Sequence, residues 1–225
     1  MADHMQDEAD LEALKRWWDE NGKGLVAAVV VAVLGTVGWQ QYQGFSASKV
    51  EAASDVYASM LAIQLEGGDT EPLQALAAQL KDEYGGSSYA RFGAMLEARI
   101  AVEAGDLAAA ESALRWALSA GDTRSDIGQL IQLRLARVLA AQGKEPEALA
   151  ILAQGSVAYP VAYAQAEGDI HLAAGRTDEA LTAYRDGRDL AAELGQYSAV
   201  LDNKVRTLET RLPASPGTVT PEDAS

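Results

Sequence analysis

Along most of this chain, apolar positions recur at the three-and-four spacing of helices that bury one face, and one stretch abandons that spacing altogether. From Ala52 to Leu212 the recurring apolar residues are chiefly Ala and Leu, long β-branched runs are missing, and the breaks fall at Gly. From Leu25 to Trp39 the chain holds only Leu, Val, Ala, Gly, Thr and Trp, and no charged residue stands between Lys23 and Lys49. The first pattern predicts an all-α fold. The second predicts a helix without the polar stripe that a core helix facing solvent on one side retains.

The 21 residue steps from Trp18 to Trp39 would extend about 31 Å as a helix at ~1.5 Å per residue, against ~30 Å for the hydrocarbon core of a bilayer. Trp17 and Trp18 precede the run and Trp39 and Tyr42 follow it, at the depths where aromatic belts meet headgroups. A transmembrane helix is therefore predicted over 24–42. A cleaved signal peptide and a buried core helix are the competing readings, the first opposed by the charged lead from Asp3 to Lys23 and by the lack of a clear A-x-A site beyond the weak Ser46-Ala47-Ser48. Lys15, Arg16 and Lys23 precede the span and only Lys49 follows closely, which predicts a cytoplasmic segment 1–23 and a far-side domain over 43–212. Gly24, Ala28, Ala32 and Thr36 recur every fourth residue, a small face along which another helix could approach; an Ala-rich chain also produces such a stripe by chance.

Within 43–212 three segments read alike as helix, Gly turn, helix. Aligning Gly105, Gly143 and Gly175 places Ala98, Ala136 and Gly168 seven positions before the turn and Ala110, Ala148 and Ala180 five after it. Leu114, Leu152 and Tyr184 follow four further on. Small residues where two antiparallel helices touch, with a larger one wedged beside them, are the tetratricopeptide pattern. Gly67-Gly68 marks a fourth, degenerate turn, and Ser119 to Asp126 reads as an insertion. Pro160 falls where such repeats often close their second helix. A final helix from about Asp189 to Leu212, with Leu190, Leu194, Tyr197, Leu201, Val205, Leu208 and Leu212 on one stripe, is expected to cap the array. The Pro-rich remainder, 213–225, is expected to be disordered.

Charge and chemistry narrow the function classes. With 18 Lys and Arg against 33 Asp and Glu, a formal net charge of -15, repulsion disfavours nucleic acid and anionic headgroups as partners. The chain has no Cys, so disulfides play no part. His4 lies in the polar lead, and His171 occupies a column that tetratricopeptide helices usually fill with Tyr, which reads as packing. Glu167 and Asp169 are two apart and face different ways, so paired acid-base work is not expected of them. No P-loop, dinucleotide fingerprint, H-E-x-x-H or G-x-S-x-G occurs, and no catalytic residue, metal, cofactor or small-molecule substrate is expected.

The lead and anchor "EALKRWWDENGKGLVAAVVVAVLGTVGWQQYQ", the following "ASDVYASML" and the late "YSAVLDNKVRTLETRL" resemble the ancillary SecYEG translocon subunit (YfgM-like) family. The resemblance implies a single-pass inner-membrane protein of Gram-negative bacteria with a periplasmic repeat domain and no enzymatic activity. It implies association with the SecYEG channel and with a membrane-anchored, prolyl isomerase-like periplasmic chaperone, helping to hand translocated proteins on. A cell-envelope assembly or stress-signalling scaffold using the same repeats is the alternative expectation.

Overall fold

The structure is a computed structural model that describes the backbone of residues 2–211 and side chains from Lys15 onward. The tail expected to be disordered over 213–225, with Leu212, and the side chain of His4 lie outside the described residues. Among the described residues there are nine helices and no strand. They are α1 (Ala2–Leu65), α2 (Thr70–Tyr84), α3 (Ser88–Glu103), α4 (Leu107–Ser119), α5 (Asp126–Ala141), α6 (Glu145–Leu152), α7 (Pro160–Ala173), α8 (Thr177–Glu193) and α9 (Ala199–Arg211).

The chain divides into two compact units between Ala52 and Ala53. The first consists of α1 alone, which continues without a break across 23/24 and 42/43. Its apolar side chains, from Leu25 and Val26 to Trp39 and Tyr42, are exposed throughout. This is the helix long and apolar enough to cross a membrane. Between Lys23 and Lys49 it carries no charge and has no polar face to turn toward water. Locally the Trp18 ring lies over Gly22, where a Cβ would stand 3.1 Å from the indole. Further along, Lys49 sits 5.0 Å above the Phe45 ring.

The second unit is a stack of helix pairs. The last turns of α1 pack with α2 and α3, and then α3 pairs with α4, α5 with α6 and α7 with α8, before α9 closes the stack. Each pair turns on a glycine in the left-handed region: Gly67, Gly105, Gly143 and Gly175 have φ of 67°, 78°, 77° and 76°. The surrounding hydrogen bonds are the same four times. The amide after each glycine donates back to a carbonyl five residues earlier: Gly68 to Ile63, Asp106 to Ala101, Lys144 to Leu139 and Arg176 to His171, at 2.8 to 2.9 Å. This is the Schellman closure, which satisfies helix-end carbonyls that would otherwise be orphaned. Asp106 then caps α4 by accepting from the Ala109 amide at 2.9 Å. Pro146 stands in the first turn of α6, where its missing N–H costs nothing.

Three apolar clusters run along the stack. Ala53 and Met60 of α1 pack with Leu73, Ala77 and Leu80 of α2. The largest cluster spans α3 to α7, and Ala180, Leu181 and Tyr184 of α8 pack with Leu201, Val205 and Leu208 of α9.

Two expectations are corrected. The final helix is not continuous from Asp189: α8 ends at Glu193, Gly195 turns with φ 67°, and the cap is α9 alone. The Gly195 and Gln196 amides return to Ala192 and Ala191, the same closure as at the repeat turns. Leu194 and Tyr197 are consequently left exposed, at 54% and 79%. Pro160 likewise does not close a second helix, since α6 ends at Leu152 and Pro160 opens α7.

The two connections that depart from a regular repeat are tied down by buried polar side chains. Over the insertion, Arg91 donates to the Ala117 carbonyl at 3.0 Å and the Asp122 carbonyl at 3.4 Å. Gln129 donates to the Arg124 carbonyl at 2.7 Å, and its Oε1 accepts from Ser156, Val157 and Ala158 in the loop before α7. One buried amide thus fixes both loops, as the need to pair buried polar groups requires.

Candidate functional site

The small residues aligned on either side of the turns are withdrawn from solvent. Ala98, Ala110, Ala136, Ala148 and Ala180 are buried, as is Gly168. Beside them the wedges Leu114, Leu152 and Tyr184 are buried as well. Wedge and small residue are matched in size. In the aligned columns Leu114 and Leu152 go with Ala98 and Ala136, whereas Tyr184 faces Gly168, at which a Cβ would collide with the phenol ring. Tyr184 carries its hydroxyl outward to donate to Asp169 at 2.7 Å, and Lys204 of α9 donates to the same carboxylate at 2.7 Å. Burial and the Asp169 carboxylate both push the Tyr184 hydroxyl above its usual range. Burial alone pushes Tyr163 up to about 12.

Neighbouring pairs are joined by ions. Glu111 of α4 accepts from Lys144 at 2.7 Å and from Arg115 at 2.7 Å, and Arg115 reaches Glu147 of α6 at 3.1 Å. These bonds to Lys144 and Arg115 hold the Glu111 carboxyl down at about 2. Next along, Arg176 bridges Glu145 and donates to His171 Nδ1, the latter at 2.9 Å. His171 is therefore a hydrogen-bonded member of an inter-repeat link. Glu167 turns toward His171 while Asp169 turns toward Tyr184 and Lys204, so the two carboxylates do not converge. Among the described residues no group of His, Cys, Asp and Glu is arranged to hold a metal ion.

A cleft of about 360 Å³ able to receive another molecule lies between α3 and α5, both of which pack on α4. Its floor is apolar: Met95 and Ala98 of α3, Leu107 and Leu114 of α4, and Val138 of α5. Val102, 44% exposed, forms part of the wall. Gln142 at the end of α5 donates to the Leu107 carbonyl at 2.7 Å and so pins one end of the cleft. Arg99, Arg134 and Arg137 stand on the rim with one acid, Glu103, which is paired to Arg99 at 2.8 Å. Arg134 and Arg137 are exposed, three apart on one face of α5, with no ion-pair or hydrogen-bond partner among the described residues. An apolar floor with a few charged groups around it is the usual composition of a binding cleft. A second cleft, between α7 and α8, has the opposite character, with Glu167, Asp178, Glu179 and Asp186 around His171.

Sequence reasoning did not point to this cleft. Gly24, Ala28, Ala32 and Thr36 lie exposed along α1, and the Thr36 hydroxyl is used within the helix, donating to the Ala32 carbonyl at 2.8 Å.

Comparison with known proteins adds to this geometry. Residues 15–210 match the family described as "Tetratricopeptide repeat-like domain". A Haemophilus influenzae protein named "Ancillary SecYEG translocon subunit" is 29% identical over 200 residues, 88% of this chain and 97% of its own length. Proteins of the same name from Aggregatibacter actinomycetemcomitans and Neisseria gonorrhoeae are each 30% identical, covering 87% and 82% of this chain and 95% and 88% of their own. No solved structure matches the chain.

Proposed function

The chain belongs to the ancillary SecYEG translocon subunit family, and from that membership we propose that it is a membrane-anchored, non-enzymatic adaptor that associates with the SecYEG channel. The observation that carries this reading is the likeness to relatives of that name over most of both chains. The matched family region, from residue 15 to residue 210, includes the apolar stretch of α1 as well as the repeats. In this reading α1 spans the inner membrane and the repeat domain works on the periplasmic side, where it receives segments of exported proteins. It passes them to periplasmic chaperones, among them a membrane-anchored prolyl isomerase-like protein. Tethering the cleft beside the channel raises its effective concentration at emerging chains.

Photo-cross-linking in native membranes tests the proposal. With a photoreactive residue at Val102, on the wall of the cleft, adducts with channel subunits or chains in transit are expected. Adducts confined to envelope-assembly or signalling proteins would overturn the translocon assignment in favour of a scaffold. Topology is read separately. Protease added to spheroplasts is expected to digest the repeat domain, whereas protection of that domain reverses the orientation.

A further inference from the structure

We infer that the cleft between α3 and α5 selects partner segments in which apolar side chains are flanked by carboxylates. The inference rests on the adaptor reading and names the chemistry of what the adaptor holds. Charge distribution is the argument. The chain carries 33 Asp and Glu against 18 Lys and Arg, and many cations elsewhere on the repeat domain are ion-paired with acids of the same fold. Lys81 pairs with Glu97, Arg115 and Lys144 with Glu111, Arg185 with Glu209 and Lys204 with Asp169. Arg134 and Arg137, like Arg124, Arg206 and Arg211, form no ion pair among the described residues, but these two stand side by side on α5 at the rim of an apolar cleft. Like charges at that spacing repel. A guanidinium also offers a planar fork of donors matched to a carboxylate, which makes an unpaired arginine pair a specific acceptor of acids.

The floor supplies the second half of the specificity. Met95, Leu114 and Val138 present apolar surface between the arginines of α5 and Arg99 of α3. A purely acidic segment would satisfy the rim and leave this surface in contact with water. A basic amphipathic segment would fill the floor and place its cations against Arg134 and Arg137. Only a segment with both features satisfies both parts. The acidic cleft between α7 and α8, with Asp178, Glu179 and Asp186, repels the same segment and so restricts it to the first cleft.

The test uses the full chain in phosphatidylcholine nanodiscs, which carry no net charge, and reads fluorescence anisotropy of three fluorescein-labelled peptides. One has leucines among glutamates, the second has lysine for every glutamate, and the third has serine for every leucine. The leucine–glutamate peptide is expected to bind at least about tenfold more tightly than either of the others, the equivalent of ~1.4 kcal/mol. Arg134→Glu with Arg137→Glu is expected to weaken it by at least about tenfold and to strengthen binding of the lysine peptide. Both arginines are exposed, so unchanged helical circular dichroism is expected of the variant. Equal binding of the three peptides, no binding of the first, or indifference to the charge reversal overturns the inference. Co-purification of the full chain with SecYEG is measured alongside. Retained association without peptide selectivity sinks the cleft inference alone, and lost association with selectivity intact sinks the translocon assignment alone.

Discussion

At the scale of single residues, Gly168 is closely matched in size to Tyr184. A methyl group at 168 has no room, because the Tyr184 ring already occupies the space a Cβ would need. The ring in turn is held by Asp169 and overlain by Lys204, 5.0 Å from its centroid, and so has little freedom to retreat. Gly168→Ala is therefore expected to destabilise the domain by about 1–3 kcal/mol as an overpacking change. It does so even though Ala is the better helix former by ~0.8–1.0 kcal/mol. Urea unfolding followed by circular dichroism measures the loss. Combined with Tyr184→Leu, which recreates the Ala–Leu match of the other two pairs, Gly168→Ala is expected to cost less than it does alone. Equal costs in the two backgrounds would mean that the two residues do not define each other's size.

Between elements, the Glu111 cluster joins the α3–α4 pair to the α5–α6 pair. Its folded-state carboxyl is held at about 2 by Lys144 and Arg115, below its ordinary value of 4.5. A depressed carboxylate contributes stability that is present above the unfolded value and disappears as the pH falls through the folded one. The contribution should therefore decline between about pH 4.5 and 2. Glu111→Gln is expected to lower the urea midpoint at neutral pH and to flatten the decline of stability below about pH 4.5 relative to the parent. Parallel curves for the two proteins would remove Glu111 from the acid response. The turns between these elements were legible in sequence because each needs a left-handed residue and only Gly supplies it without strain. The break at Gly195 was equally written in the chain, with Ser198 placed to accept from the Leu201 amide at 3.4 Å, but the apolar spacing from Leu190 to Leu201 runs through it unchanged. The cleft was not legible. Arg134 and Arg137 look like ordinary solvated helix charges until the fold withholds acids from them and sets them beside Met95 and Val138. Gln129 was hidden for the same reason, since the loops it fixes are distant in sequence.

On the scale of the whole molecule, the last turns of α1 have a double role. They continue the helix that carries the apolar stretch, and through Ala53 and Met60 they are the first layer of the repeat core. In a stack whose layers touch only their neighbours, stability is distributed layer by layer. Tension between the anchor and a segment gripped in the α3–α5 cleft would enter at that first layer and peel it before reaching the larger central cluster. The pair of α1 and α2 would then act as a mechanical fuse, yielding at low load while the cleft keeps its shape. The chain has no cysteine, so Thr123→Cys provides a unique handle beyond α4 for magnetic tweezers, with the second handle at the N-terminus. Leu73→Ala, which hollows the first cluster, is expected to lower the force of the first extension step and leave the later step unchanged. A single step, or equal shifts in both, would show instead that the array bears load as one body.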